Sequence, residues 1–304
     1  MAEEKNPEHL RVTRDHRRQW RRCLYVYPVI SRRSKGLSIG VNLNPDKQCN
    51  FSCLYCQIDR RVQRDLREVD LATLASELRL ALLEATSGSL FAEPRFAETP
   101  EPLRRINDIA LSGDGEPTCL PDFDEAVKIA AVSKKEFGRD DIKIVVITNA
   151  SQFDRPQFKR ALPTLDAENG EIWAKLDAGT EEFFRRVNRP YPVITLRHIL
   201  ENIRSVARDR PIVIQSLFFR LDGQEPPPRE IEAYISNVRE IVAGGGRIKL
   251  VQIHTIARPP ASPSARAMEA AELDTIADKV RAALGELAVE VYYGADVPPH
   301  GGAS

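Results

Sequence analysis

Short apolar runs rich in β-branched residues alternate along this chain with longer segments in which apolar residues recur at helical spacing. The runs lie at about residues 38–44, 108–113, 142–148, 172–177, 211–218 and 249–255, and they are typical of buried parallel strands. The helical segments lie at residues 70–86, 123–137, 194–209, 230–246 and 267–286. This alternation predicts an α/β fold with right-handed crossovers and a parallel sheet, either open or curled into a barrel.

Polar residues and cysteines follow the predicted strands at their carboxyl ends, where parallel α/β folds bind ligands. A cysteine loop follows the first strand, "SGDGEPT" follows the second, and Asn149, Asp177 and His254 stand at the ends of the third, fourth and sixth. Three proline-rich segments, at about residues 85–105, 222–230 and 257–266, are predicted surface loops. Their positions allow them to cover a site at the strand ends.

The composition places limits on where the protein works. The 304 residues include 44 lysines and arginines and 44 acidic residues, so the chain is not coated with positive charge overall. It contains no apolar stretch that fits a signal peptide or that is long enough to cross a bilayer, which predicts a cytosolic protein. In a reducing cytosol, a tight cysteine cluster favours a metal or redox centre over a disulfide.

Three of the five cysteines, Cys49, Cys53 and Cys56, stand within eight residues. A structural zinc site needs four ligands, and no Cys or His in residues 57–118 supplies the fourth, so zinc would require Cys119 or His254 to arrive through the fold. A four-iron cluster held by three cysteines instead keeps one iron open, as expected of a catalytic cluster.

The spacing Cys49-x-x-x-Cys53-x-x-Cys56, with Tyr55 before the last cysteine, resembles the signature of the radical S-adenosylmethionine (SAM) superfamily. The resemblance implies that the three cysteines ligate a [4Fe-4S] cluster whose fourth iron chelates SAM. It also implies that one electron from the cluster breaks a carbon–sulfur bond of SAM, which yields methionine and a 5'-deoxyadenosyl radical that abstracts hydrogen from a substrate. An electron donor such as flavodoxin or ferredoxin is then an expected partner.

"SGDGEPT" is similar to the family's glycine-rich motif, with Gly115 and Glu116 matching and Asp114 standing where the common pattern has glycine. The resemblance implies that this segment holds the methionine end of SAM, and a carboxylate suits its ammonium group. Tyr55 is a further candidate SAM contact. Asn149 and Asp177 also stand where the family places groups that reach SAM, with Asp177 at the ribose. The alternative for Asp177 is the N-cap of a helix that begins nearby.

Three residues are candidates for a catalytic role. Lys175 shares a strand face with Asp177. His254 is suited to contact adenine or to act as an acid or base, but a strand-end histidine is also a common structural residue. Cys119 is suited to donate a hydrogen atom or to ligate metal, and its alternative is a small buried hydrophobic residue.

Within the superfamily, residues 27–255 most resemble the group related to wyosine-type tRNA base synthases. The resemblance implies an α/β domain at residues 37–294 that forms a partial (β/α)6 TIM-like barrel of radical SAM type. A basic N-terminal extension at 1–36 and a C-terminal tail at 295–304 flank this domain. Characterised wyosine-forming members have a second cysteine cluster before the motif, whereas this chain has only Cys23 there. Their specific reaction therefore does not transfer.

The segment from Arg11 to Lys35 contains eight arginines and one lysine but a single acidic residue, Asp15, with aromatic residues interleaved. Arginine with aromatics is typical of RNA-binding surfaces. The predicted function is therefore radical modification of an RNA base, with tRNA as the expected substrate. The alternatives are radical chemistry on a protein, peptide or small metabolite, and a zinc-stabilised binding module. The basic segment also fits a helix over residues 13–24 that packs Trp20 and Leu24 inward and leaves its arginines in water.

Overall fold

The computed structural model describes residues 18–60 and 68–294. The chain divides into two compact units. The first comprises Met1–Cys49, Arg60–Thr148 and Asp154–Ile172, and the second comprises Asn50–Asp59, Asn149–Phe153 and Trp173–Ser304, as far as the structure describes these ranges.

The first unit is built around a sheet with helices packed beside it. Its strands are β1 (Val26–Ser31), β2 (Gly36–Val41), β3 (Ile106–Leu111) and β4 (Lys143–Thr148), and its helices are α1 (Leu71–Ser87), α2 (Phe123–Glu136) and α3 (Pro156–Ala167). The strands lie in the order β1-β2-β3-β4, with β1 antiparallel to β2 and the others parallel. The carboxyl ends of β2, β3 and β4 therefore share one edge of this sheet.

The second unit repeats the α/β pattern. Its sheet contains the end of β5 (Gly170–Lys175), β6 (Ile212–Leu217), β8 (Ile248–His254) and β10 (Val289–Tyr292), all parallel and in that order. A separate antiparallel pair joins β7 (Arg220–Leu221) to β9 (Ala265–Arg266). The helices are α4 (Glu181–Val187), α5 (Leu196–Asp209), α6 (Pro228–Ala243) and α7 (Ala270–Leu284).

The predicted α/β class and all six predicted strands are confirmed, as β2, β3, β4, β5, β6 and β8. The missed elements are the strands β7, β9 and β10 and two elements that each contain a proline, β1 and α3. Pro28 lies in β1, where it is tolerated because β1 is an edge strand. Pro163 lies inside α3, although proline removes a helical hydrogen bond. The predicted loop at residues 85–105 is partly ordered as short 3₁₀ helices at Ser89–Ala92 and Glu101–Leu103.

The buried carboxylate of Glu77 in helix α1 binds the backbone at the start of β1 and just before it. Glu77 accepts hydrogen bonds from the backbone N–H groups of Leu24, Tyr25 and Val26, at 2.7, 2.8 and 3.0 Å. Three donors compensate for removing this charge from water. The path of the N-terminal segment is thus specified by a residue about fifty positions further along.

The basic segment is part of the first unit's packing. Trp20 is buried and its indole N–H donates to Glu93 at 3.1 Å. Residues 18–24 form no helix, so the predicted helix over residues 13–24 is wrong in this part, and residues 13–17 lie outside the described ranges. Leu24 is exposed rather than packed inward, whereas Tyr25 and Tyr27 are buried. Among the helices that the structure describes, none is long and apolar enough to cross a membrane.

Candidate functional site

The segment after β3 in the first unit forms a tight turn over residues 112–116. A side chain at Gly115 would clash with the carbonyl oxygen of Gln48, so only glycine fits where these two backbone segments meet. Glu116 follows and is almost fully buried. Its Oε1 atom accepts hydrogen bonds from the hydroxyls of Thr118 and Thr148, each at 2.6 Å, which fixes the orientation of the carboxylate.

Asp114, the departure from the family pattern, occupies the centre of this turn. Its carboxylate accepts a hydrogen bond from Nδ2 of Asn42 at 3.0 Å and pairs with the guanidinium of Arg18. The sequence pattern gave no sign of Arg18 as a partner, whereas it did offer a signal for Asn42. Asn42 directly follows β2, and a polar residue just past a strand end was the signal that would have identified it.

Cys119 lies at the end of a short 3₁₀ helix, Pro117–Cys119, in the same unit. Burial raises the pKa of its thiol far above the ordinary value, and the nearby charges of Glu116 and Cys49 raise this pKa further. Cys119 therefore stays a protonated thiol. A protonated thiol carries the hydrogen atom that a hydrogen donor would supply.

In the second unit, the cysteine loop is held by backbone hydrogen bonds to the end of helix α4. The N–H of Leu54 donates to the carbonyl of Val187 at 2.9 Å, and Phe51 forms an isolated antiparallel bridge with Pro190. The carbonyl of Cys56 accepts from the N–H of Ala261 at 2.9 Å. The proline-rich loop at 257–266 thus lies directly against the cysteine loop.

A buried hydrogen-bond network joins this loop to Asp177. The Tyr55 hydroxyl donates to Asp177 Oδ2 at 2.5 Å, and Nδ2 of Asn188 donates to the Tyr55 oxygen at 2.7 Å. The same Nδ2 lies 3.7 Å from the sulfur of Cys53. Burial, followed by the charge of Asp177, raises the pKa of Tyr55 well above its usual value, so the hydroxyl remains a donor. Nothing in the sequence pattern singled out Asn188, which ends helix α4.

The alternative role of Asp177 as an N-cap is wrong. Thr180 caps helix α4 and accepts from the N–H of Phe183 at 3.2 Å. Asp177 instead accepts the N–H of Leu217 at 2.8 Å, in addition to the Tyr55 hydroxyl. Its carboxylate is therefore held at the ends of β5 and β6.

The structure brings Lys175 to Asp177, with Nζ 3.3 Å from the carboxylate and 5.4 Å from the centre of the Tyr55 ring. His254 is the last residue of β8 and is half-buried, and its carbonyl accepts the N–H of Phe218. Lys175 therefore contacts Asp177, another predicted site residue of the second unit.

Asn149 follows β4, and both ends of its amide contact the protein. Nδ2 donates to Oδ1 of Asn50 at 2.8 Å, and its own Oδ1 accepts the N–H of Ser151 at 3.0 Å. The Asn50 amide in turn donates to the Ser151 hydroxyl at 2.7 Å. These contacts position the residue directly after Cys49.

The cysteines have the chemistry that an iron–sulfur cluster needs. All five lie in the described ranges, where they are half-buried and form no disulfide. Across residues 18–60 and 68–294, no three His, Cys, Asp or Glu side chains converge closely enough to hold a single metal ion. Iron–sulfur clusters take cysteine thiolates as ligands, with each cysteine at a different iron. The donor set therefore fits the cluster.

Comparison with known proteins identifies the family. Residues 43–225 match the model described as "Radical SAM superfamily". The chain belongs to the radical SAM superfamily, which makes it an enzyme rather than a zinc-stabilised binding module. Members of this superfamily use a [4Fe-4S] cluster and SAM, so both predicted cofactors are confirmed.

The chain is also similar to curated proteins. The chain is 32% identical over 184 residues to a "UPF0026 protein" of Helicobacter pylori strain J99, an alignment that covers 60% of this chain and 51% of the relative. The chain thus spans about half the length of the curated relatives it matches.

Two solved structures share the fold. A radical SAM methyltransferase from Sphaerobacter thermophilus aligns with a TM-score of 0.59 and 14% identity, over 89% of this chain and 70% of its own. The structure titled "Structure of TYW1 with a lysine-pyruvate adduct bound" aligns with a TM-score of 0.53 and 17% identity, over 81% and 73%. These likenesses confirm the predicted radical SAM type of fold.

Proposed function

We propose that Cys49, Cys53 and Cys56 bind three irons of the [4Fe-4S] cluster and that SAM binds beside Gly115 and Glu116. When bound, the reduced cluster supplies the electron that cleaves SAM to methionine and a 5'-deoxyadenosyl radical. The observation that carries this proposal is the turn at residues 112–116, where a glycine-only contact lies next to an oriented, buried carboxylate. Such a turn can admit a ligand's amino group and accept its hydrogen bonds.

The chain's own residues have distinct tasks in this proposal. Glu116 accepts the ammonium of SAM while Thr118 and Thr148 hold its orientation. Asp177, held by the N–H of Leu217, accepts the ribose hydroxyls. Tyr55 stays protonated and supports Asp177. Asn149 acts mainly through Asn50 rather than by direct contact.

For the substrate, the proposal is an RNA base, with tRNA as the expected RNA. Arg22 supports it, because this side chain is exposed and forms no ion pair within the described ranges. The fold likeness to TYW1 is compatible with it. Phosphate contacts by such arginines would position an RNA at the strand ends of the first unit.

A specific observation favours a second candidate, radical chemistry on a protein, peptide or small metabolite. The aromatic residues interleaved with the arginines include Trp20, Tyr25 and Tyr27, and all three are buried in the fold rather than exposed for stacking on bases. Arg18 and Arg21 already pair with acidic side chains. These contacts leave less of the basic segment available to RNA than the sequence suggested.

The two candidates differ in how binding of tRNA responds to salt. Each phosphate contact with single-stranded RNA contributes about 0.7 to the log–log slope of affinity against salt. If RNA is the substrate, Arg22→Gln should lower that slope by about 0.7, the contribution of one phosphate contact. The control variant Arg32→Gln/Arg33→Gln should leave the slope unchanged, because those two residues lie in the turn between β1 and β2, at the end of the hairpin opposite to Arg22. Absence of salt-sensitive tRNA binding, together with unchanged nucleosides in a deletion strain, would favour the second candidate.

A further inference from the structure

The turn at residues 112–116 is held from a distant part of the chain as well as by its neighbours. Arg18, 96 residues away in sequence, pairs with Oδ1 of Asp114, and both side chains are largely shielded from solvent, at 27% and 14% exposure. Asn42 donates to the other carboxylate oxygen at 3.0 Å and accepts the Asp114 N–H at 3.0 Å. Both oxygens of the carboxylate are therefore occupied by fixed donors.

A second contact runs in parallel through Tyr27. Its hydroxyl donates to the carbonyl of Ser112, the first residue of the turn, at 2.9 Å. The Arg18 guanidinium lies 5.9 Å from the centre of the Tyr27 ring. Arg18 therefore pairs with Asp114 at the centre of the turn, and it also lies near Tyr27, which binds the first residue of the turn.

The close packing of the turn makes its position sensitive to these contacts. A side chain at Gly113 would clash with Asn42, and one at Gly115 would clash with Gln48. The turn is thus pressed against residues 42–48, which lead into Cys49. A small displacement of Asp114 would shift the backbone that flanks Glu116.

We infer that Arg18 is a positioning residue for the SAM-binding turn, acting through Asp114 without touching the cofactor. This inference rests on the proposed function of the turn. The ion pair holds residues 112–116 in the arrangement that receives SAM, so the cofactor need not order the turn when it binds. The N-terminal basic segment then serves the cofactor site through at least one of its arginines.

Arg21 provides a matched control. It belongs to the same segment and forms ion pairs with Glu84 and Glu93, at 3.0 and 2.9 Å, but neither partner lies in the turn. Arg21→Gln therefore removes a comparable charge and comparable ion pairs from the same segment. Its effect on SAM binding should be negligible.

The test measures SAM affinity by equilibrium binding to the full chain with its cluster reconstituted, and amide hydrogen exchange in the protein without cluster or SAM. Arg18→Gln and Asp114→Asn should each weaken SAM binding by about fivefold to tenfold, and the double variant should be no weaker than either single one. Arg18→Lys, which keeps the charge, should recover part of the affinity. Exchange of residues 112–116 should be faster in Arg18→Gln than in wild type or Arg21→Gln.

Three results would overturn the inference. These are equal losses in Arg18→Gln and Arg21→Gln, additive losses in the double variant, and unchanged exchange in the turn of Arg18→Gln. Gly115→Ala separates failure of this inference from failure of the proposed function. If Gly115→Ala loses SAM while Arg18→Gln binds normally, only the positioning role is wrong. If Gly115→Ala binds SAM as wild type does, the turn is not the SAM site, and the inference falls with the proposed function.

Discussion

At the scale of single residues, the sequence predicted the chemistry of the site better than it predicted the supporting contacts. Glu116 and Asp177 were identified because they match positions of the radical SAM pattern and follow strand ends, and the structure holds both in defined orientations. Two supporting residues were missed, Thr148, which donates to Glu116, and Asn188, which donates to Tyr55, because a hydroxyl or amide becomes informative only when the fold brings it to its acceptor. The protonated state of Cys119 also depends on burial, which the sequence alone does not give.

Replacing Glu116 tests the proposed role of its charge. Glu116→Gln keeps an oxygen that can accept from Thr118 and Thr148, so the fold and cluster should survive. SAM affinity should fall by about 10- to 100-fold, because a charge-assisted hydrogen bond contributes roughly 1.5–3 kcal/mol. Equilibrium binding under anaerobic conditions measures this. Glu125→Gln, on the outer face of α2, is the control, and equal affinity in both variants would contradict the role of Glu116.

Asp108 on β3 predicts a pH dependence of stability. Burial raises its pKa to about 6, and a hydrogen bond from Ser38 only partly offsets this. The unfolded chain loses this proton near its ordinary pKa of about 3.9, so the folded state binds the proton more tightly. This stabilisation is complete below pH 4 and is lost as pH rises through 6, and it amounts to about 3 kcal/mol.

Urea denaturation between pH 4 and pH 7 measures this loss. Asp108→Asn has no proton to lose, so it should remove this part of the pH dependence. If wild type and Asp108→Asn show the same slope of stability against pH, the proton on Asp108 does not contribute.

At the scale of elements, all six strands predicted from the apolar pattern are present in the structure. The pattern did not predict β1 or α3, each of which contains a proline. Finding β1 changes the meaning of the basic segment. The hairpin of β1 and β2 separates Arg18, Arg21 and Arg22 from Arg32 and Arg33, because β2 runs its full length, about 20 Å, between them. What looked like one basic surface in the sequence is therefore divided between opposite ends of a sheet.

The segment ahead of β1 should contribute strongly to stability. Trp20 is 2% exposed and its indole donates to Glu93. Trp20→Ala should lower the free energy of unfolding by about 3–5 kcal/mol, as expected for a buried aromatic side chain. Arg22→Gln, two residues away and exposed, should change it by less than about 0.5 kcal/mol. Thermal or urea unfolding measures both, and similar small losses in the two variants would show that Trp20 does not anchor the segment.

At the scale of the whole molecule, the cysteine spacing predicted the superfamily and its cofactors, and the family match confirms them. The substrate was not predictable in the same way. Cofactor chemistry is encoded in short motifs, whereas substrate choice depends on surfaces assembled from distant segments. Composition alone would assign Trp20, Tyr25 and Tyr27 to an RNA-binding surface, but in the folded protein these three side chains are buried.

Metal loading tests the donor set directly. Protein reconstituted without oxygen should hold about four irons per chain, because three thiolates suffice for a cluster with one open iron. Cys53→Ala should abolish this, whereas Cys119→Ala should retain it, because Cys119 lies outside the three-cysteine motif that supplies the ligands. Iron and sulfide analysis with electron paramagnetic resonance measures the outcome. Stoichiometric zinc without iron uptake would contradict it.

The three hydrogen bonds to Glu77 also limit how the protein can be shortened. Removing residues up to Arg22 would keep Leu24, Tyr25 and Val26 in place, although Trp20 and its packing would be lost. Removing a few more residues, past Val26, would take away the three N–H donors of the Glu77 carboxylate. Loss of all donors to this carboxylate would destabilise the protein more than the loss of one ordinary hydrogen bond. A fusion partner or affinity tag is therefore best joined well before Trp20, and a domain boundary drawn at residue 37 would yield an unstable fragment.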